Sequence, residues 1–178
     1  RLKGGMVRWG GRRNMGDAAL AEGATPLMRA ARFGDAAAMR VLLEAKADTA
    51  LMEKDRTTVL MLAAGAGWRT GETILGGTDY GEEPDAIEAV KLCLDRGADV
   101  NAVDEDGMTA LHHAVPRGST VVRLLVEHGA ALDIKDKFGR TPLDVAQGVR
   151  AKGEAQRMRT SPIREASAVL LRQLSPAR

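Results

Sequence analysis

Four stretches of this chain repeat one another: ATPLMRAARFGD at 24–35, TTVLMLAAGAG at 57–67, MTALHHAVPRG at 108–118 and RTPLDVAQG at 140–148. Each places a threonine two residues before a leucine and follows them with small residues. Three second halves repeat as well: MRVLLEAKADT at 39–49, AVKLCLDRGADVN at 89–101 and VVRLLVEHGAALD at 121–133. The threonines are 33 apart from Thr25 to Thr58, 51 apart from Thr58 to Thr109 and 32 apart from Thr109 to Thr141. A period of this size means one supersecondary unit used several times. No single unit can bury its own apolar faces, so the core must form between neighbours. The middle spacing is one period plus 18 residues, which places an insertion inside the second unit.

The residue types suit two helices and a turn per unit. Threonine ahead of Pro or Ala and Leu is a helix N-cap. Pro26 and Pro142, at the first helical position, lose only an amide that has no partner there. Alanines such as Ala30, Ala31, Ala63, Ala64 and Ala114 let a short first helix lie close to its neighbours. The second helix carries a Val/Leu stripe, as at Val121, Val122, Leu124 and Leu125, each side chain contributing roughly 1.5–3 kcal/mol when buried. Gly97 and Gly129 follow these helices, where a left-handed residue is needed. ADVNAVDEDG and AALDIKDKFG then project as turns closed by Gly107 and Gly139.

This pattern, above all RGADVNAVDEDGMTALHHA at 96–114, resembles the ankyrin repeat. The resemblance covers about residues 20–148, with an irregular last repeat reaching about 174. It implies an all-α solenoid of stacked helix-turn-helix units with β-turn fingers. The expected division is 1–22 as the end of a preceding repeat with an extended finger loop, 23–55 as one repeat and 56–106 as a second with its insert at about 68–85. A third repeat follows at 107–137, then an irregular capping repeat at 138–174 and a tail at 175–178. On this reading the chain is a fragment of a longer ankyrin array. Arg56 stands where the pattern has glycine and Leu20 where it has aspartate, so irregular turns are expected at both. Ser161 and Pro162 mark the start of a final helix carrying Ile163, Ala166, Val169, Leu170, Leu171 and Leu174.

Composition limits the alternatives. Hydrophobic residues make up 44% of the chain but aromatics only 3%, so the core rests on small aliphatic side chains, which suits closely packed helices. A net charge of +2 implies no global attraction to nucleic acid. No run of about 18 apolar residues is present, which excludes a helical membrane span. The single cysteine, Cys93, can form no internal disulfide, and VKLCLDRG offers no arrangement of Lys, His and Cys that would favour its thiolate. Nothing in the sequence assigns a compartment.

No nucleotide-binding, hydrolase or metalloprotease motif occurs, so no enzymatic activity, cofactor or metal is expected. The adjacent His112 and His113 point about 100 degrees apart on a helix and do not form a two-ligand face. His112 occupies the histidine position of the repeat, and the resemblance implies a hydrogen-bonding role for it. The insert GWRTGETILGGTDYGEEPDA lacks the Gly-Lys-Ser/Thr of a phosphate loop and the alternate acids of a calcium loop. Its place is the turn between the two helices of the second repeat. The last repeat is also expanded at that turn, and ILGGTDYGEE is expected to face the basic VRAKGEAQRMR across Pro116.

The resemblance implies a protein-protein interaction scaffold whose concave face and fingers carry the contacts. The residues carried over are Glu105, Asp106, Met108, Lys137, Phe138 and Arg140 on the fingers, with Arg32, Phe33 and His113 on the first helices. Phe138 is the best single anchor, a large apolar side chain at an exposed position. The alternative is a structural or accessory subunit of a multi-subunit assembly that docks through the inserts at 4–22 and 68–85, using Trp9, Trp68 and Tyr80. The expected partner is a protein, with no specific nucleic acid and no membrane span.

Overall fold

The first helix of every repeat opens on the expected threonine. A computed structural model describes residues 23–66, 83–149 and 161–175. Among these residues there are eight helices: α1 (Pro26–Phe33), α2 (Ala36–Glu44), α3 (Val59–Ala64), α4 (Glu83–Asp95), α5 (Ala110–Ala114), α6 (Ser119–Glu127), α7 (Pro142–Ala146) and α8 (Pro162–Leu174). Thr25, Thr58 and Thr141 accept the backbone amides of Met28, Met61 and Asp144. The residue three places on closes the cap in return. Met28 and Met61 do so through sulfur, a weak acceptor, and Asp144 through a carboxylate at 2.9 Å.

The helices stack in two rows. α1, α3, α5 and α7 follow one another in the first, and α2, α4, α6 and α8 in the second. Ala30, Ala63, Ala114 and Ala146, each five residues after its threonine, are buried, as are Leu27, Leu60 and Leu111. In the second row Met39, Val90 and Val122 take matching buried places. A short helix is marginal by itself, so this burial against both neighbours is what holds five- and six-residue helices such as α5 and α3. Cys93 fills a place in the second row as a small apolar group. Burial pushes its thiol up to about 12, so it is inert at neutral pH.

Among the described residues three fingers project between the repeats, with turns at 53–57, 104–108 and 136–140. Each turn is closed twice in the same way: Glu53 N–H to Thr57 O and Arg56 N–H to Glu53 O, Asp104 to Met108 and Gly107 to Asp104, Asp136 to Arg140 and Gly139 to Asp136. Arg56 therefore does not disturb its turn, contrary to expectation. It takes φ 64, beside 73 at Gly107 and 77 at Gly139. A left-handed backbone costs a residue with a Cβ about 1–2 kcal/mol, part of which glycine would return as unfolded-chain entropy. Arg56→Gly is expected to raise the unfolding free energy by about 0.5–1 kcal/mol, read from urea titrations. The other departure, Leu20, lies outside the described residues.

One boundary differs from the sequence reading. α4 begins at Glu83, inside the expected insert, because Pro84 in a first turn gives up no useful hydrogen bond. α8 starts as expected, with Ser161 Oγ accepting Arg164 N–H at 3.3 Å, and it buries only some of the apolar residues it carries. Ser167 and Ala168 are buried beside Leu170 and Leu171, while Ile163, Ala166, Val169 and Leu174 are exposed. The Ser167 hydroxyl can be buried because it is within 3.1 Å of the Val115 and Ile163 carbonyls, which tie α8 to the end of α5. Apart from Glu83 and Val149 at their ends, the segments expected to meet across Pro116 lie outside the described residues. None of the described helices is long and apolar enough to cross a membrane.

Candidate interaction surface

The fingers are joined to each other by backbone hydrogen bonds at their tips. Glu105 N–H donates to Asp55 O at 2.9 Å, and Lys137 N–H donates to Asp106 O at 2.8 Å. Lys137 and Asp106 also form an exposed ion pair. Such a ladder holds successive turns in register, so side chains from different repeats present one surface.

Within each of the last two turns a carboxylate organises the backbone. Asp104 Oδ1 accepts the amides of Asp106 and Met108, both at 2.9 Å, and Asp136 Oδ1 accepts those of Phe138 and Arg140, both at 2.9 Å. The second oxygens are used as well. Asp104 Oδ2 accepts from His113 Nε2 at 2.9 Å, and Asp136 Oδ2 from Arg140 Nε and Nη2, each at 2.7 Å. Burial by itself would raise both carboxyls. The hydrogen bonds outweigh it, from His113 and the amides on Asp104 and from Arg140 and the amides on Asp136, so both sit below the ordinary carboxylate value.

Phe138 stands on the third of these turns with 48% of its surface exposed. The Lys137 ammonium lies 5.2 Å and the Arg140 guanidinium 5.0 Å from its ring centre, within cation–π range. Arg140 is itself held by Asp136, so the ring has one rigid cationic wall. The result is a fixed aromatic group at an exposed turn, with Glu105, Asp106 and Lys137 exposed around it.

The remaining sequence candidates divide. Met108, expected to face solvent, is half-buried because its turn packs beside the next one; the backbone of Lys137 and Asp136 lies within 3.3 Å of where a Cβ on Gly107 would sit. His113 is half-buried and committed to Asp104. Phe33 is half-buried at the end of α1. Arg32 is not a surface residue: it is 3% exposed, and its Nη1 donates to Ala66 O at 3.0 Å, supporting the turn after α3. Trp9, Trp68 and Tyr80 lie outside the described residues.

His112 plays the structural part expected of it, and more. Its ring is buried, with Nδ1 accepting from Thr109 N–H at 3.1 Å and Nε2 3.1 Å from Arg140 O. A carbonyl only accepts, so the proton is on Nε2 and the ring is neutral. One side chain thereby closes its own helix cap and holds the base of the Phe138 turn in the next repeat. Sequence reasoning ranked Phe138 as anchor but gave no sign of the Asp136–Arg140 brace behind it, which depends on how the turn closes.

Comparison with known proteins agrees with this geometry. Residues 81–151 match the family model for ankyrin repeats in three copies, and residues 22–54 match that for a single ankyrin repeat. An ankyrin repeat and LEM domain-containing protein 1 homolog of Caenorhabditis elegans is 41% identical over 64 residues, 35% of this chain and 9% of that protein. SH3 and multiple ankyrin repeat domains protein 2 of Homo sapiens is 41% identical over 75 residues, 42% of this chain and 4% of that protein. Serine/threonine-protein kinase 12 of Arabidopsis thaliana is 43% identical over 75 residues, 40% of this chain and 16% of that protein. The chain thus covers less than a fifth of each of these relatives. The likeness is to their repeats, which as a family serve generally as protein-protein interaction modules without enzymatic activity. With the two family matches together spanning more than half of its residues, and with stacked helix pairs in the structure, this chain is a member of the ankyrin repeat family.

Proposed function

We propose that this chain is a non-enzymatic scaffold that binds a protein partner across its second and third finger turns. The observation that carries this reading is Phe138, a half-exposed aromatic side chain fixed by the Asp136–Arg140 brace rather than left free to fold onto the surface. Interface anchors are commonly aromatic, rigid before binding and ringed by polar groups that exclude water. Half-buried Met108 supplies further apolar surface on the neighbouring turn, and Glu105, Asp106 and Lys137 form a rim of both charges. Arg140 acts as the wall that sets the ring's position. Phe33 and His113 lie on the first helices, with His113 positioning Asp104; Arg32 has no part in the contact.

The test begins with a partner captured by the full-length chain and identified by mass spectrometry. Phe138→Ala is expected to weaken that partner's binding at least tenfold, and Met108→Ala several-fold, with the thermal midpoint of each variant close to that of the parent. A deletion of 70–84 is expected to leave binding intact. Unchanged affinity in both alanine variants, or loss of binding in the deletion alone, would overturn the reading in favour of docking through the inserts.

A further inference from the structure

The junction between the first two fingers lacks a clamp that joins the next two, and a groove lies in its place. Asn101 clamps the second finger to the third: its Nδ2 donates to Gly129 O at 3.1 Å and its Oδ1 accepts Ala131 N–H at 2.8 Å. One repeat earlier the corresponding residue is Ala50. One local bond is shared, with Ala50 N–H donating to Asp48 Oδ1 at 2.8 Å as Asn101 N–H donates to Asp99 Oδ1 at 2.9 Å. Only the carboxamide is missing. The groups it would meet, by the repeat register, are Gly97 O and Asp99 N–H, the counterparts of Gly129 O and Ala131 N–H.

A groove of about 600 Å³ lies at this place, lined among others by Ala50, Met52, Arg56, Leu60, Asp99 and Val103. That volume is within the range of pockets that hold small ligands, about 300–1,000 Å³. Its walls are mixed. Met52 is 48% exposed, half-buried Val103 adds apolar surface, and Arg56, fixed in its left-handed turn, contributes a cation.

We propose that this groove is a second binding site, which takes an asparagine side chain presented by an extended segment of a partner protein. The partner's carboxamide donates to Gly97 O and accepts from Asp99 N–H, reproducing between the first two fingers the clamp that Asn101 makes between the next two. Apolar residues flanking that asparagine cover Met52 and Val103. The chain itself supplies the template for the ligand: the neighbouring junction shows which functional group satisfies this backbone pair. The site is separate from the Phe138 surface and does not depend on it.

The probe is the acetylated, amidated pentapeptide Ala-Leu-Asn-Leu-Ala, titrated to millimolar concentration into the isotope-labelled chain and followed by amide NMR. Shifts are expected at Ala50 and at Gly97–Ala102. The same peptide with Asp at its centre is expected to bind about tenfold more weakly, because a carboxylate cannot donate to Gly97 O. Ala50→Asn is expected to fill the groove from within, abolish the shifts and raise the thermal midpoint by about 3 °C. The converse variant, Asn101→Ala, opens the equivalent place one repeat on and is expected to add shifts at Gly129 and Ala131. Phe138→Ala is expected to change none of this, which keeps the outcome distinct from that of the finger surface. The proposal is overturned if the Asn-centred peptide gives no shifts, if a Leu-centred peptide binds as well, if Ala50→Asn binds undiminished, or if Asn101→Ala gains no second site.

Discussion

Gly65→Ala is expected to lower the unfolding free energy by about 3–4 kcal/mol in urea titrations followed by far-UV circular dichroism. Two effects combine. Gly65 ends α3 at φ 123, a conformation that side chains rarely adopt, which costs about 1–2 kcal/mol. A Cβ at this position would also lie 2.6 Å from Arg117 Cγ and 2.9 Å from His113 O. The arginine can move, but the carbonyl belongs to the end of the next repeat's first helix. Relieving that contact means separating two stacked units, and in a linear array the stacking interface carries much of the stability. Gly97→Ala is the control, with φ 76 and nothing within 4 Å of its Cβ position; it is expected to cost about 1 kcal/mol. Equal losses at the two positions would show that the contact with His113 O has no energetic weight.

His112→Ala is expected to cost about 3 kcal/mol. The truncation leaves a cavity at a fully buried position and takes hydrogen-bond partners from Thr109 N–H and Arg140 O, each worth about 1–3 kcal/mol when left buried and unpaired. The same residue gives the fold an acid sensitivity of known sign. Burial lowers the pKa of His112 below its ordinary 6.5, a shift only partly offset by the Arg140 carbonyl and the nearby Asp136 charge. Its unfolded form therefore takes up a proton at a higher pH than its folded form. The stabilisation is complete above pH 6.5 and declines as pH falls below that value toward the folded pKa. Asp104 and Asp136, whose folded pKa values are also lowered, add a second decline that starts below 3.8. Equilibrium unfolding between pH 7 and pH 5 is expected to show the first decline in the parent chain and not in His112→Ala. A parent whose stability is flat over that interval would show that the ring is not held neutral.

The same histidine illustrates how far the sequence could be read. Its place in the repeat was legible, because a helix cap is a local device and its partner, Thr109, is three residues away. Its second bond was not, since Arg140 is 28 residues on and the contact arises only when the third and fourth units stack. Arg32 shows the reverse. A charged residue at a variable helical position reads as exposed, yet it is buried because a carbonyl 34 residues away, Ala66 O, needs a donor. At Arg56 the local rule gave way outright: the closing bonds of the turn and the ladder from Asp55 to the next finger hold a conformation that the residue itself disfavours. In α8 the apolar residues alone did not identify the buried face, because a serine with carbonyl partners packs as well as an aliphatic side chain.

What the sequence by itself determined was therefore the unit and its order: a threonine cap, an Ala-rich helix, a Val/Leu helix and a turn, repeated at 33 and 32 residues, with an insertion in the second unit and an expansion in the last. Those features follow from backbone chemistry within a few residues, and a period makes each copy a check on the others. The stacked structure decided which positions are surface. The groove beside Ala50 and the braced, half-exposed ring of Phe138 arise only after adjacent fingers are brought within hydrogen-bonding distance. Interfaces between repeats are long-range in sequence, and no local pattern records which polar group will meet which.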